Sequence, residues 1–253
     1  MKPVETSMLE TILAIDIGAT TIKFCHVDAG GELLGSIRRK ATPYPCRPAR
    51  LVELLAQRII ASQSRWVGVG FPGEFSDGHV IRPGNLSRPG GVMTERDPGL
   101  EREWRGFALQ EALCAATGRD VRVVNDARLA ALGCCGAEGV ELVLTLGTGL
   151  GLSLSVDGVV RTTRDVGAEA AKGGLTYDQL LGERARSLDE AAWSKDVVRT
   201  VAGFSEEFDA TTVHLAGGNA RRVSPGIFSA LACRVIIEGN QAPLRGAAKL
   251  FYS

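Results

Sequence analysis

Apolar and polar residues follow two rhythms along this chain, and the changes of rhythm mark its elements. Residues 13–27 (LAIDIGATTIKFCHV) carry an apolar run into Asp16, a polar turn at Gly18-Ala19-Thr20-Thr21, and a second β-like run through Ile22, Lys23 and Phe24. That pattern predicts a hairpin. Asp28-Ala29-Gly30-Gly31 is a turn signal, and residues 32–38 alternate enough for a third antiparallel strand. Residues 49–61 set Leu51, Leu54, Leu55, Ile59 and Ile60 at helical spacing, and residues 66–70 (WVGVG) read as a short buried strand. Strand, strand, strand, helix, strand is an α/β pattern that opens with a hairpin rather than a βαβ unit.

Residues 73–105 are rich in Gly, Pro, Ser and Arg, with a short strand near 79–82. Long irregular segments in compact domains often carry function. Asn85 within it is either a turn residue or a ligand contact. A helix over 107–117 ends at Gly118, and the β-branched strand 121–125 then delivers Asn125 and Asp126 to its C-terminal end, before a small-residue helix over 127–135. Asp126 there is either a helix cap or a group lining a ligand crevice, where the carboxyl ends of strands in open α/β sheets lie.

Residues 141–151 (ELVLTLGTGLG) form a second hairpin whose tip is Gly147-Thr148-Gly149-Leu150-Gly151, with a strand leaving to Val156 and a turn at Asp157-Gly158. The tip is neither a Walker A loop nor a dinucleotide fingerprint, because no Gly-Lys-Ser/Thr and no helix follows. Two such strand–turn–strand units imply two related lobes. Beyond them the pattern predicts helices over 177–186 and 189–204, strands over 211–215 and 233–238, and a helix over 243–252 that begins with Pro243. Gly217 and Gly218 sit at the exit of the 211–215 strand, either as a plain turn or as a place where a flat base approaches the backbone.

The candidate chemistry starts at the hairpin tips. A tight polar turn gathers backbone N–H groups and hydroxyls into a nest for phosphate oxygens, and Asp16 at its mouth suits a hydrated Mg²⁺. The remaining bulk properties mostly exclude. Lys plus Arg and Asp plus Glu are 29 each, so the chain has no net charge and no electrostatic footprint for nucleic acid. It has no apolar run of about 18–20 residues to span a bilayer and no polybasic segment for a membrane surface. The start MKPVETSMLE lacks a signal-peptide core, so the expected location is cytoplasmic. Cys25, Cys46, Cys114, Cys134, Cys135 and Cys233 are scattered in apolar contexts and read as reduced thiols without zinc spacing, so no structural zinc is expected.

Taken in order, DIGATTIK, FPG, GNL, NDA, LTLGTGLG and LAGGNA resemble the ROK family of sugar kinases, within the actin, hexokinase and heat-shock chaperone superfamily. The compact length and the lack of a cysteine zinc motif are most similar to its polyphosphate glucokinase branch. The resemblance implies an actin-like (ribonuclease H-like) α/β fold of two lobes, each a mixed β-sheet flanked by helices. Residues 1–120 are expected in the first lobe and 121–241 in the second, with a helix over 242–253 packing back on the first. By position, Gly18, Thr20, Thr21 and Lys23 correspond to one phosphate loop and Gly147, Thr148 and Gly149 to the other. Gly217 and Gly218 correspond to the nucleoside contact, and Asp16 to the metal position. Asn85, Asn125, Asp126 and Asp165 correspond to sugar contacts, and Asp126 also to the general base.

The implied reaction transfers a phosphoryl group from ATP or polyphosphate, with Mg²⁺, to the 6-hydroxyl of a hexose such as glucose. The implied partners are a hexose, a phosphoryl donor and a second copy of the chain as a homodimer. Two departures stand out. Ala168 replaces the family's sugar-binding histidine in Asp165-Val166-Gly167-Ala168, which leaves a non-catalytic sugar- or nucleotide-sensing protein as the alternative. Ala19 replaces a glycine of the first loop, where a positive φ would cost on the order of 1 kcal/mol.

Overall fold

The computed structural model describes residues 11–136, 138–164 and 166–252. The chain divides into two compact units, residues 1–129 with 243–253, and residues 130–242.

The first unit opens with β1 (Ile12–Ile17), β2 (Thr21–Val27) and β3 (Leu33–Ala41), followed by α1 (Pro48–Ser62) and β4 (Trp66–Phe71). All six residues of β1 are buried, as befits a strand covered on both faces. Their alternation assigns the faces. Leu13, Ile15 and Ile17 pack with Leu51, Leu55 and Ile59 of α1, while Ile12 and Ala14 pack with Leu129 and with Leu244, Ala247 and Ala248 of the C-terminal segment.

The stretch 73–105, irregular by pattern, holds two short strands and a helix, β5 (Glu74–Ser76), β6 (His79–Arg82) and α2 (Pro98–Trp104), with two 3-10 turns between β6 and α2. Asp77 and Gly78, with φ of 49° and 82°, make the hairpin turn between the two strands, a two-residue Asp-Gly connection that favours strand pairing. Asp97 caps α2 by accepting from the Gly99 and Leu100 N–H groups, with Pro98 at the first position. Next come α3 (Leu109–Thr117), closed by Gly118 in the left-handed conformation, and β7 (Asp120–Asn125), which leads directly into α4 (Asp126–Cys134).

The first sheet has the order β3-β2-β1-β4-β7. β1 pairs antiparallel with β2 and parallel with β4, and β7 pairs parallel with β4 along its whole length. The strand at 121–125, expected at the start of the second lobe, is therefore an edge strand of the first sheet. Ladder pairing with β4 decides this, and the strand's own sequence does not contain that information.

The second unit repeats the arrangement. Its strands are β8 (Val140–Leu146), β9 (Leu150–Val156) and β10 (Val159–Arg164), and then, after α5 (Tyr177–Leu181), α6 (Glu183–Leu188) and α7 (Glu190–Glu207), β11 (Thr212–Ala216) and β12 (Arg234–Gly239). The sheet order is β10-β9-β8-β11-β12, with antiparallel pairs on the hairpin side and parallel pairs on the other. Leu142, Leu144 and Leu146 of β8 face Leu181 and the α7 residues Trp193, Val197, Val201 and Phe204, while Val143 faces Ala130 and Ala131 of α4. The helix expected over 177–186 is broken at Gly182 into α5 and α6.

The chain ends with α8 (Ala242–Gly246) and a 3-10 turn, Ala248–Leu250, in place of one continuous helix. Gly68 of β4 explains how this segment sits so close to the first sheet. A Cβ there would lie 2.7 Å from the Ala247 Cβ. Trp66 completes the contact edge-on to Tyr252, with ring centroids 5.5 Å apart. Among the described residues, no helix is long and apolar enough to cross a membrane.

Candidate active site

Asp16 and Lys23 are direct partners across the β1–β2 ladder and therefore share a face of the sheet. Lys23 Nζ donates to Asp16 Oδ2 at 2.7 Å, with side chains only 17% and 8% exposed. The turn between them is braced from β3 onward. Thr42 Oγ1 donates to the Gly18 carbonyl at 2.7 Å, and the Tyr44 hydroxyl to the Ala19 carbonyl at 2.6 Å. Burial, with Cys46 nearby, pushes the Tyr44 phenol up to about 12, so it stays a donor at neutral pH. Gly18 is required by space, since a Cβ would stand 2.9 Å from the Thr21 carbonyl oxygen. Its own N–H already donates to that oxygen at 3.1 Å. Ala19 corrects an expectation: its φ is not positive, so the replaced glycine carries no strain.

β1, β4 and β7 run parallel, so Asp16, the loop after Phe71, and Asn125-Asp126 all emerge at one edge of the sheet. Asn125, rather than Asp126, caps α4. Its Oδ1 accepts from the Ala127 and Arg128 N–H groups at 2.8 and 3.1 Å, and its Nδ2 donates to the Gly73 carbonyl at 2.7 Å. An amide with both lone pairs and one N–H engaged has one N–H left for a ligand. Asp126, half-buried, accepts from the Ala127 N–H through Oδ1 at 2.8 Å. Gly70 of β4 makes room for it, since a Cβ there would come within 3.3 Å of the Asp126 Cα. Asn85 sits in the 3-10 turn Gly84–Ser87, where Gly84 passes so close to Pro72 that a Cβ would stand 2.5 Å from its carbonyl oxygen. The Asn85 Oδ1 accepts from Arg88 Nε at 3.1 Å.

In the second unit, Gly147, Thr148 and Gly149 join β8 to β9, and Gly147 N–H donates to the Gly149 carbonyl at 3.1 Å. Nothing stands within 4 Å of where a Gly147 Cβ would be, so that side of the turn is open. Two residues that sequence patterns had not singled out hold the turn. Asp178, in the first turn of α5, accepts from the Leu150 N–H at 2.9 Å. Its carboxylate lies so close to Gly149 and Gly167 that a Cβ on either would be 2.1 Å from Oδ1. Asn219 Nδ2 donates to the Gly147 carbonyl at 3.0 Å. The signals were present but ordinary: an acid in a helix's first turn and an Asn after a Gly pair.

Gly217 needs to be glycine for an internal reason. With φ of 92°, its Cβ would fall 2.3 Å from the Leu146 carbonyl oxygen. A Cβ on Gly218 would meet Asn240 Oδ1 at an ordinary 3.7 Å, and the turn continues into a single 3-10 turn, Ala220–Arg222. Asp165 lies outside the described residues. Ala168 is exposed, and both carboxylate oxygens of Glu169 accept from Arg164 Nη2 at 2.8 and 2.9 Å, so that carboxylate already has a partner.

Two sheets of identical strand order, each opening with a hairpin whose tip is a tight Gly/Thr turn, define the actin-like α/β class. The profile of the ROK family matches residues 12–173, more than half of the chain, and the chain belongs to that family. It is 27% identical to a glucokinase of Thermotoga maritima over 167 residues, 62% of this chain and 49% of the relative. The chain thus spans about half the length of the curated relatives it matches. Among solved structures, an inorganic polyphosphate/ATP-glucomannokinase from Arthrobacter sp. strain KM is 27% identical, with a TM-score of 0.77 over 95% of this chain and 97% of that one. A ROK glucokinase from Streptomyces griseus, in complex with glucose and AMPPNP, shares the fold at 18% identity, with a TM-score of 0.68 over 95% and 98%.

Proposed function

We propose that this chain is a hexose kinase that moves a phosphoryl group from ATP or inorganic polyphosphate to a sugar 6-hydroxyl, with Asp126 as general base. One observation carries the reading. Asp16 and Asp126 stand at the carboxyl ends of β1 and β7, on either side of β4. Two strand spacings set their backbones about 10 Å apart, room for an acceptor hydroxyl at one carboxylate and donor phosphates at the other.

In this reading Asp126 accepts the hydroxyl proton as the new phosphorus–oxygen bond forms and the bond to the leaving phosphate breaks. Asn125, through its remaining N–H, and Asn85 orient the sugar, as does Asp165. Thr20, Thr21 and Lys23 hold donor phosphates. Thr148 and Gly149 are assigned the same task, because their turn repeats the first. Gly18 acts by letting its turn close, and Gly147, with open space where a Cβ would be, leaves that side of the second turn free for a phosphate. Gly217 and Gly218 are assigned to the nucleoside by correspondence with the family pattern alone.

A single, nearly buried carboxylate of oxygen donors fits a Mg²⁺ that keeps most of its water. Asp16 would hold it, and the ion would offset phosphate charge. Donor choice follows the Arthrobacter relative, whose name includes both donors. Ala168 points to altered sugar preference, because a shorter apolar side chain offers no imidazole to a sugar hydroxyl.

A coupled assay over a hexose panel, with each donor in turn, tests the reading. Asp126→Asn should lower kcat by about 10²-fold or more while calorimetry shows sugar binding retained. Unchanged turnover in that variant would remove Asp126 as the base. Sugar binding without turnover of any pair would favour a sensing protein.

A further inference from the structure

The second unit holds a constellation of titratable side chains that the proposed phosphotransfer does not use. Glu141 lies near the start of β8, His214 in the middle of β11 and Glu238 near the end of β12. His214 is the direct partner of Val143 and of Ile236, so Glu141 and Glu238 are each two residues from its partners. Period two therefore puts all three side chains on one face. It is the face that carries Val143, over which Cys134 and Cys135 of the α4 end pack.

The imidazole is 4% exposed and stands between the two carboxylates. Nδ1 is 2.9 Å from Glu238 Oε1, and Nε2 is 3.3 Å from Glu141 Oε1. A neutral imidazole has one N–H, and the shorter contact suits Nδ1–H donating to Glu238. Nε2 faces Glu141 Oε1, so whatever sits on that nitrogen, a proton or a metal ion, also meets the second carboxylate. Glu141 cannot easily swing away, because its Oε2 accepts from the Gly136 N–H at 2.5 Å. A metal ion can take that proton's place between the nitrogen and the Glu141 oxygen.

The third donor is at hand. Cys135 Sγ, a Glu141 oxygen and a His214 nitrogen all lie within 4.8 Å of one another. A second, independent feature points to the same place. Ser155, the cross-strand partner of Glu141, is fully buried, and its hydroxyl has no hydrogen-bond partner. The Cys135 thiol lies beside it at a geometry short of a proper hydrogen bond. A thiolate at Cys135 would give that hydroxyl an acceptor.

We propose that Cys135, Glu141 and His214 bind a zinc-type divalent metal ion, with Glu238 orienting the imidazole through Nδ1–H. Thiolate sulfur, imidazole nitrogen and carboxylate oxygen are the donor set of such ions, and a carboxylate behind the ligating histidine is their usual support. Binding displaces the Cys135 proton to solvent, and the Ser155 hydroxyl then donates to the sulfur. The site lies at the far end of β8 from Gly147, about 20 Å along the strand. The metal would therefore staple the end of α4 to β8 and β11 rather than join in phosphotransfer. Ligands separated by up to 79 residues explain why no zinc spacing is visible in the sequence.

Cobalt(II), titrated into the chelator-stripped full chain, is the probe. One equivalent should bind with a thiolate-to-cobalt charge-transfer band, zinc should displace it, and the band should vanish in Cys135→Ser and persist in Cys134→Ser. Glu238→Gln, which leaves every ligand in place, should weaken cobalt binding by about 10–100-fold. Circular dichroism of each variant keeps loss of fold separate from loss of metal. Absence of the band in the folded parent protein overturns the proposal. So does a band that survives Cys135→Ser but is lost in Cys134→Ser, or cobalt affinity unmoved by Glu238→Gln.

Discussion

Replacing Lys23 by Met isolates the force that holds the first turn's charged pair. At 2.7 Å and an effective dielectric of about 20, the Asp16–Lys23 attraction is about 6 kcal/mol. Taking each ion out of water costs several kcal/mol, so the pair as a whole adds little net stability. Its removal in halves is another matter. With Asp16 6% exposed, Lys23→Met leaves a buried carboxylate unpaired, a loss of about 3–5 kcal/mol. Asp16→Asn leaves the ammonium unpaired at a comparable cost. The double variant should lose no more than one single variant does, giving a coupling of about 3 kcal/mol or more, at or beyond the upper end of the usual range. Urea unfolding of the four proteins, followed by tryptophan fluorescence, measures the cycle. Trp66 and Trp104 both lie in the unit that carries the pair. A Lys23→Met protein within about 0.5 kcal/mol of the parent would refute the reasoning, since Asp16 would then not depend on its partner.

Two further outcomes follow from single positions. Gly217→Ala places a Cβ 2.3 Å from the Leu146 carbonyl at a φ of 92°; it should cost more than the roughly 1–2 kcal/mol of a left-handed residue alone and raise the KM for the phosphoryl donor. Calorimetric melting together with donor kinetics checks this, and a variant with the parent's Tm would show that the turn yields freely. His26 provides the pH test. Burial holds its pKa below the usual 6.5, and its Nε2 has no hydrogen-bond partner. Below pH 6.5 the unfolded chain binds the proton more readily than the folded one, so stability falls as pH drops through that window. His26→Gln should flatten this slope in urea titrations from pH 7 to 5, and an unchanged slope would assign it to other groups.

Much of the fold was legible locally. The Asp157-Gly158 turn, the apolar run of β1 and the Gly/Thr tips are read within a few residues, because strand preference and turn chemistry act over that range. α2 and β5 went unread in a segment whose Gly and Pro content masked a capped helix start at Asp97-Pro98 and an Asp-Gly hairpin at Asp77-Gly78. At the candidate site, Asp16, Asn125 and Asp126 are placed at one end of the sheet by the strands that carry them, as their strand patterns imply. Their division of labour could not, because Asn125 serves as the cap only once Gly73 and the first turn of α4 converge on its amide.

By itself the sequence determined where strands begin and turn, that β1 and β8 are apolar runs, and that two similar hairpins recur. These follow from side-chain period and backbone preference, which need no distant partner. Only the tertiary structure decided that β7 completes the first sheet, that Gly68 and Gly217 are required by Ala247 and the Leu146 carbonyl, and that Asp178 braces the second turn. It alone brought Cys135, Glu141 and His214 within 4.8 Å of one another. In each case the deciding contact joins residues far apart in the chain, and its strength comes from burial and from hydrogen bonds that form once the sheets have paired.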